Sequence, residues 1–113
     1  MVTIKRIYET PANSDGRRIL VDRLWPRGVS KERAALDEWL KDVAPSPELR
    51  MWFGHKPERF AEFSRKYISE LEHNSAAEQL KTLAKKEPLT LLYAAKDPKV
   101  NHALVLKKFL VRH

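Results

Sequence analysis

The chain has no cysteine. That excludes disulfides and thiolate metal sites, and it is compatible with a reducing compartment. Glycine is scarce: Gly16, Gly28 and Gly54 are the whole supply. Three scattered glycines cannot build a phosphate-cradling Gly-rich loop, and each is expected to mark a turn. No serine stands in a nucleophile elbow. Long apolar runs are also missing. None approaches the ~20 residues a membrane span needs, and the start, MVTIKRIYET, lacks the ~7–15-residue apolar core of a signal peptide. A cytoplasmic protein with no membrane partner is the expectation. Four histidines are present, His55, His73, His102 and His113. They show no metal-ligand spacing with one another, so neither a metal nor another cofactor is expected. Repeats, low-complexity tracts and linkers are absent as well.

What is present describes a folded domain. Of 113 residues, 42% are hydrophobic and 33% charged, which favours one packed core over a disordered chain. A single α/β domain over residues 1–113 is expected. Trp25, Trp39 and Trp52 all lie in the first half, which should hold a dense core or an aromatic-walled pocket. Trp39 is assigned to the core. The charge is 22 − 15 = +7, a balance that attracts phosphates, nucleic acid or anionic metabolites. More than half of the excess falls after residue 95, in Lys96, Lys99, Lys107, Lys108 and Arg112 against Asp97. Solubility alone explains Lys107 and Lys108.

Periodicity supplies the elements. Thr3 to Tyr8 alternates as a half-exposed strand, Asn13 to Gly16 is a turn, and Arg18 to Leu24 is an apolar strand stopped by Pro26 and Gly28. Residues 36–43 carry helical spacing but run into Ala44-Pro45, so helix and strand stay open there, with a short helix near Ser30. Ser46-Pro47-Glu48 opens a helix ending by Gly54. Phe60, Phe63, Tyr67, Ile68 and Leu71 stripe a helix over 57–72. Ser75 is the expected cap of the next helix, which stops before Pro88. Leu89 to Ala95 is a buried strand. Asp97-Pro98 is expected to open the last helix. Strands interleaved with helices predict a small mixed or mostly parallel sheet of three to four strands packed with four to five helices.

Two of these strands run into polar clusters. Asp22, Arg23, Trp25 and Arg27 follow the second; Tyr93, Lys96, Asp97 and Asn101 attend the last. Ligands of open α/β sheets settle beyond the carboxyl ends of strands. If the two strands are parallel neighbours, Arg23, Arg27 and Lys96 share one rim beside a helix start, an arrangement suited to a phosphate, sulfate or carboxylate. Alternation sets Asp22 between Leu20 and Leu24, where a carboxylate needs a partner such as Arg6, Arg18 or Lys96; a structural ion pair is the competing reading of Asp22. Arg6 is also counted among the ligand contacts. Trp25 and Trp52 are candidate walls of the pocket, and Tyr93 a further contact. His55, in a turn flanked by Gly54 and Pro57, is the first candidate for proton transfer, with Asp22 the second; a merely solvated His55 is the blander reading.

The run Asp15-Gly16-Arg17-Arg18-Ile19-Leu20-Val21-Asp22-Arg23-Leu24-Trp25-Pro26-Arg27-Gly28 resembles the signature of the domain-of-unknown-function 488 family, in its short bacterial YeaO-like branch. So do Ala44-Pro45-Ser46, Leu49 to Phe53, His55 with Pro57, Leu89 to Asp97, and Asn101-His102-Ala103. The blocks span nearly the whole chain, and the polar positions follow the pattern throughout. The resemblance implies a small cytoplasmic α/β domain and carries no settled activity, cofactor or catalytic assignment.

Three functions fit these observations. A pocket for a small anionic or phosphorylated ligand, with or without catalysis, comes first. A nucleic-acid-binding protein using a contiguous basic face is the alternative. An interaction module, with Asp22, Arg23 and Lys96 locked in a structural ion-pair network, is the third. The oligomeric state stays open.

Overall fold

The computed structural model describes residues 1–112, and His113 lies outside the described residues. Its centre is a sheet of four strands: β1 (Val2–Arg6), β2 (Arg17–Leu20), β3 (Glu38–Trp39) and β4 (Leu89–Tyr93), in the order β1-β4-β2-β3. Every pairing is parallel. Val2 faces Leu89 and Arg6 faces Tyr93 on one side of β4, while Arg17 faces Leu89 and Leu20 faces Leu92 on the other. Leu89-Thr90-Leu91-Leu92-Tyr93 is buried throughout, as a central parallel strand covered on both faces must be. The expected α/β architecture is observed.

Five helices follow from local chemistry. Lys31–Ala34 (α1) starts under Ser30, whose hydroxyl accepts the Arg33 N–H. Pro47–Phe53 (α2) has the anticipated Ser46 cap and Pro at the first turn, and ends at left-handed Gly54. Phe60–Leu71 (α3) buries Phe63, Tyr67 and Leu71. Ser75–Lys86 (α4) and His102–Val111 (α5) complete the set.

Strand alternation divides the core between two faces. Ile19, Val21, Leu89, Leu91 and Tyr93 pack under α2 to α5. Leu20, Leu92 and Ile7 point the other way, under Val29, Ala34, Trp25 and Trp39. No helix of the described residues is long and apolar enough to cross a membrane.

Several boundaries differ from expectation. Strand β2 ends at Leu20 rather than Leu24, because Asp22 diverts its side chain into the ladder. The open stretch 36–43 resolves into β3 and a 3-10 turn over Lys41–Val43. Asn74, not Ser75, caps α4, its Oδ1 taking the Ala77 N–H at 3.0 Å. Helix α5 begins at His102 under Asn101, four residues after the Asp97 expected as its cap. Trp39 is half-buried, with Lys41 lying 4.1 Å over its ring.

Candidate functional site

Because β2 and β4 are parallel neighbours, their carboxyl ends open onto one rim. The last backbone bond between them runs from Val21 N–H to Leu92 O, 3.1 Å. One step further, a side chain takes over: Asp22 Oδ2 accepts the Ala94 N–H at 3.0 Å. The acid at the strand end thus stands where a ladder carbonyl would have been. Its other oxygen, Oδ1, lies 3.1 Å from His102 Nε2. That nitrogen is also 3.1 Å from the Val21 carbonyl and aligned for a hydrogen bond to it. Oδ1 is buried and receives no hydrogen-bond donor among the described residues. Arg6, Arg18 and Lys96, the partners expected for Asp22, are engaged elsewhere or lie apart from it. Arg18 pairs with Asp15 at 2.5 Å and holds the carbonyls of Ala34 and Ala35.

Arg23 leans over the α2 entrance, its Nη2 donating to Pro45 O at 3.1 Å and to Ala44 O at 3.4 Å. Its Nε is buried without an acceptor among the described residues. The loop that follows is fixed at three points. Trp39 Nε1 donates to Asp22 O at 2.7 Å, Trp25 Nε1 to Val29 O at 2.7 Å, and Tyr8 Oη to Arg27 O at 3.1 Å. Trp25 also meets Trp39 edge-on, with ring centroids 5.3 Å apart.

On the β4 side, Asp97 Oδ1 accepts the Lys99 N–H at 2.8 Å, and Asn101 bridges back with Nδ2 to Asp97 O at 2.9 Å. Asn101 is 1% exposed, and its Oδ1 takes the Leu104 N–H at 2.9 Å. It is a helix cap that also lines the site. Across the opening, His55 follows Gly54 in the left-handed region, with φ of 59°. Histidine is among the side chains that tolerate that conformation best.

These groups enclose a cleft of about 550 Å³. Of the residues singled out in the sequence, it brings together Asp22, Arg23, Trp25 and Arg27 with His55, Lys96, Asp97 and Asn101. Three lie outside it. Arg6 works from behind, donating to Ala95 O at 2.9 Å and Ala94 O at 3.3 Å, so it shapes the β4 exit without reaching the opening. Trp52 carries Lys66 and Arg59 over its ring and faces away. Tyr93 points into the core and is 2% exposed; burial holds its phenol above the usual range, Glu9 adds to this, and Arg6 opposes it.

The cleft adds residues the sequence reading missed. Tyr8, Arg50, Phe53 and Phe63 line it, and so does His102. The signal for Arg50 was its place in the Leu49 to Phe53 block, inside the Ser46-capped helix. For His102 it was adjacency to the Asn101 cap, had that cap been recognised. Behind His102 stands Tyr67, with ring centroids 6.3 Å apart. Its hydroxyl donates to Val43 O at 2.5 Å, and burial pushes its phenol well above the usual range. The lining holds four cations, Arg23, Arg27, Arg50 and Lys96, against two carboxylates, Asp22 and Asp97, between apolar walls. No group of three metal-ligating side chains occurs among the described residues.

A family model described as the inactive DUF488-N3 subclade matches residues 1–113. The chain belongs to that family. It is 50% identical over 110 residues to the uncharacterized protein YeaO of Escherichia coli, covering 96% of each chain. It is 42% identical over 109 residues to the uncharacterized protein Rv3073c of Mycobacterium tuberculosis, covering 96% of this chain and 92% of that one. The uncharacterized protein Mb3100c of Mycobacterium bovis matches to the same extent. No solved structure gives a significant match. Assignment to the DUF488-N3 family agrees with the blocks recognised in the sequence, most of which meet at the cleft.

Proposed function

We propose that this chain binds a small anionic ligand in the cleft at the carboxyl ends of β2 and β4. One observation carries the reading: cations from three separate stretches, Arg23 with Arg27, Arg50, and Lys96, converge on a single concave site with apolar walls. Its volume of about 550 Å³ lies within the span of small-molecule pockets. The three side-chain tethers on the 22–29 loop support a pocket formed before the ligand arrives, which lowers the ordering cost of binding.

Binding without turnover is the form we favour. The matching family is described as an inactive subclade, which supports that form. In this reading Asp22 and His55 set the charge and shape of the cleft. Elsewhere the basic surface is partly neutralised. Arg17 pairs with Glu87, Lys66 with Glu62 and Arg112 with Glu72, which favours a pocket over a contiguous nucleic-acid face. The ion-pair-network alternative required Asp22, Arg23 and Lys96 to pair with one another. Asp22 and Arg23 instead hold backbone groups and flank an opening.

The test is calorimetric titration and thermal shift with phosphosugars, nucleotides and carboxylates, on wild type, Arg27→Ala, and Arg23→Ala with Arg27→Ala. Each lost charge-assisted bond should weaken binding by about ten-fold, so the double variant by about a hundred-fold. Because Arg27 is exposed, its single variant separates binding from folding. Undiminished affinity in both variants would overturn the reading. Affinity for oligonucleotides that drops steeply with salt, with none for small anions, would favour the nucleic-acid alternative.

A further inference from the structure

The cleft is rich in donors and poor in acceptors. Guanidinium and ammonium groups only donate, and the start of α5 offers further N–H groups. Acceptors are fewer. Asp97 Oδ1 takes the Lys99 N–H and leaves Oδ2 open, and Asn101 Oδ1 is consumed by its own helix. His102 is different. A carbonyl accepts and cannot donate, so the 3.1 Å contact with Val21 O puts the proton on Nε2. The Asp22 carboxylate, 3.1 Å from the same nitrogen, reinforces that choice. The opposite nitrogen, Nδ1, makes no hydrogen bond among the described residues and is not sealed from solvent as Asp22 Oδ1 is. An imidazole of fixed tautomer therefore lines the cleft with a free acceptor.

We propose that His102 Nδ1 accepts a hydrogen bond from the ligand, and that the ligand is an anion carrying an O–H or N–H beside its charged group, of the α-hydroxycarboxylate type. This rests on the binding reading above and narrows it. The cations hold the charge, and His102 selects the neighbouring hydroxyl. The discrimination arises because an analogue without the donor covers this acceptor and leaves it unpaired. No bond is made or broken; His102 is a specificity residue.

Mandelate and phenylacetate share an aromatic body and a carboxylate, and differ in one α-hydroxyl. Titrated calorimetrically at about pH 8, mandelate should bind wild type about ten-fold more tightly. His102→Gln keeps an N–H where Nε2 stood, so it preserves the donation to Val21, and it leaves no acceptor at the Nδ1 position, its amide oxygen branching from a different atom. In that variant the two affinities should converge to within about two-fold, with phenylacetate unchanged. The wild-type comparison of the two acids stands by itself should the variant not fold. Equal wild-type affinities, or a preference surviving His102→Gln, would overturn the proposal. If both acids bind equally and lose binding in Arg23→Ala with Arg27→Ala, His102 recognition falls and anion binding stands. If neither acid binds, nor any anion of the wider panel, both fall.

Discussion

Asp15 shows how much one carboxylate can organise. It is 7% exposed, yet it accepts from Arg18 at 2.5 Å, Lys5 at 3.1 Å and the Ala12 N–H at 3.0 Å. Burial by itself would raise its pKa; the Ala12 N–H, Lys5 and Arg18 together outweigh burial and hold it below the ordinary 3.8. A carboxyl depressed in the folded state contributes stability that is complete above its unfolded value and is lost as the pH falls through the folded one. Asp15→Ala should therefore cost about 3 kcal/mol at neutral pH, since it strands the buried Arg18 guanidinium. The gap from wild type should narrow below about pH 4, read by urea unfolding at neutral and acidic pH. A gap independent of pH would mean that Asp15 acts through packing. From the sequence Asp15 reads only as part of a turn, and Arg18 as a partner for Asp22. Charge signs along a strand do not reveal which of two acids folds back onto it, because that choice depends on the 3-10 turn at Asn13–Asp15.

Among the elements, β2 is the one on which the site depends, and Gly16 sets its entry. Gly16 has φ of 66°, and a Cβ there would sit 2.5 Å from the Pro88 carbonyl oxygen, just before β4. That carbonyl also accepts the Arg17 N–H at 3.0 Å, so it cannot withdraw without losing a bond. Gly16→Ala should destabilise the fold by at least about 2 kcal/mol, combining overpacking with an unfavourable φ. Gly28→Ala is the control, with an open Cβ position at a similarly positive φ of 77°, and should cost about 1 kcal/mol. Chemical unfolding of both variants checks the difference; equal losses would show that φ alone decides. The apolar character of β2 and β4 is plain in the sequence, and so is the Ser46-Pro47 helix start. Their ends are not. Asp22 resembles another strand residue, but its carboxylate replaces the ladder. Asp97 resembles a helix cap, but it closes a two-residue turn onto Lys99 and leaves the capping to Asn101.

At the scale of the molecule, the fold class is readable because it needs only element order, whereas His102 and Arg50 join the cleft through packing between α5, α2 and the sheet. The two core faces also raise the question of whether they are separate units. They share strands at adjacent positions: Ile19 and Leu91 enter the helical face, while Leu20 and Leu92 enter the tryptophan face. Neither face can lose its packing while the other keeps its strands. Unfolding should therefore be one cooperative transition. Tryptophans allow a direct check, since Trp25 and Trp39 report the face under α1, and Trp52 lies against the helical one. In a Trp52→Phe variant, fluorescence follows only the first face, and far-UV circular dichroism is dominated by α3 to α5 on the second. The two urea curves should superimpose, with one midpoint and one slope. A fluorescence transition that precedes the loss of helix would mean that the 21–37 segment, and with it one wall of the cleft, opens on its own. The pocket would then be assembled by its ligand rather than waiting for it.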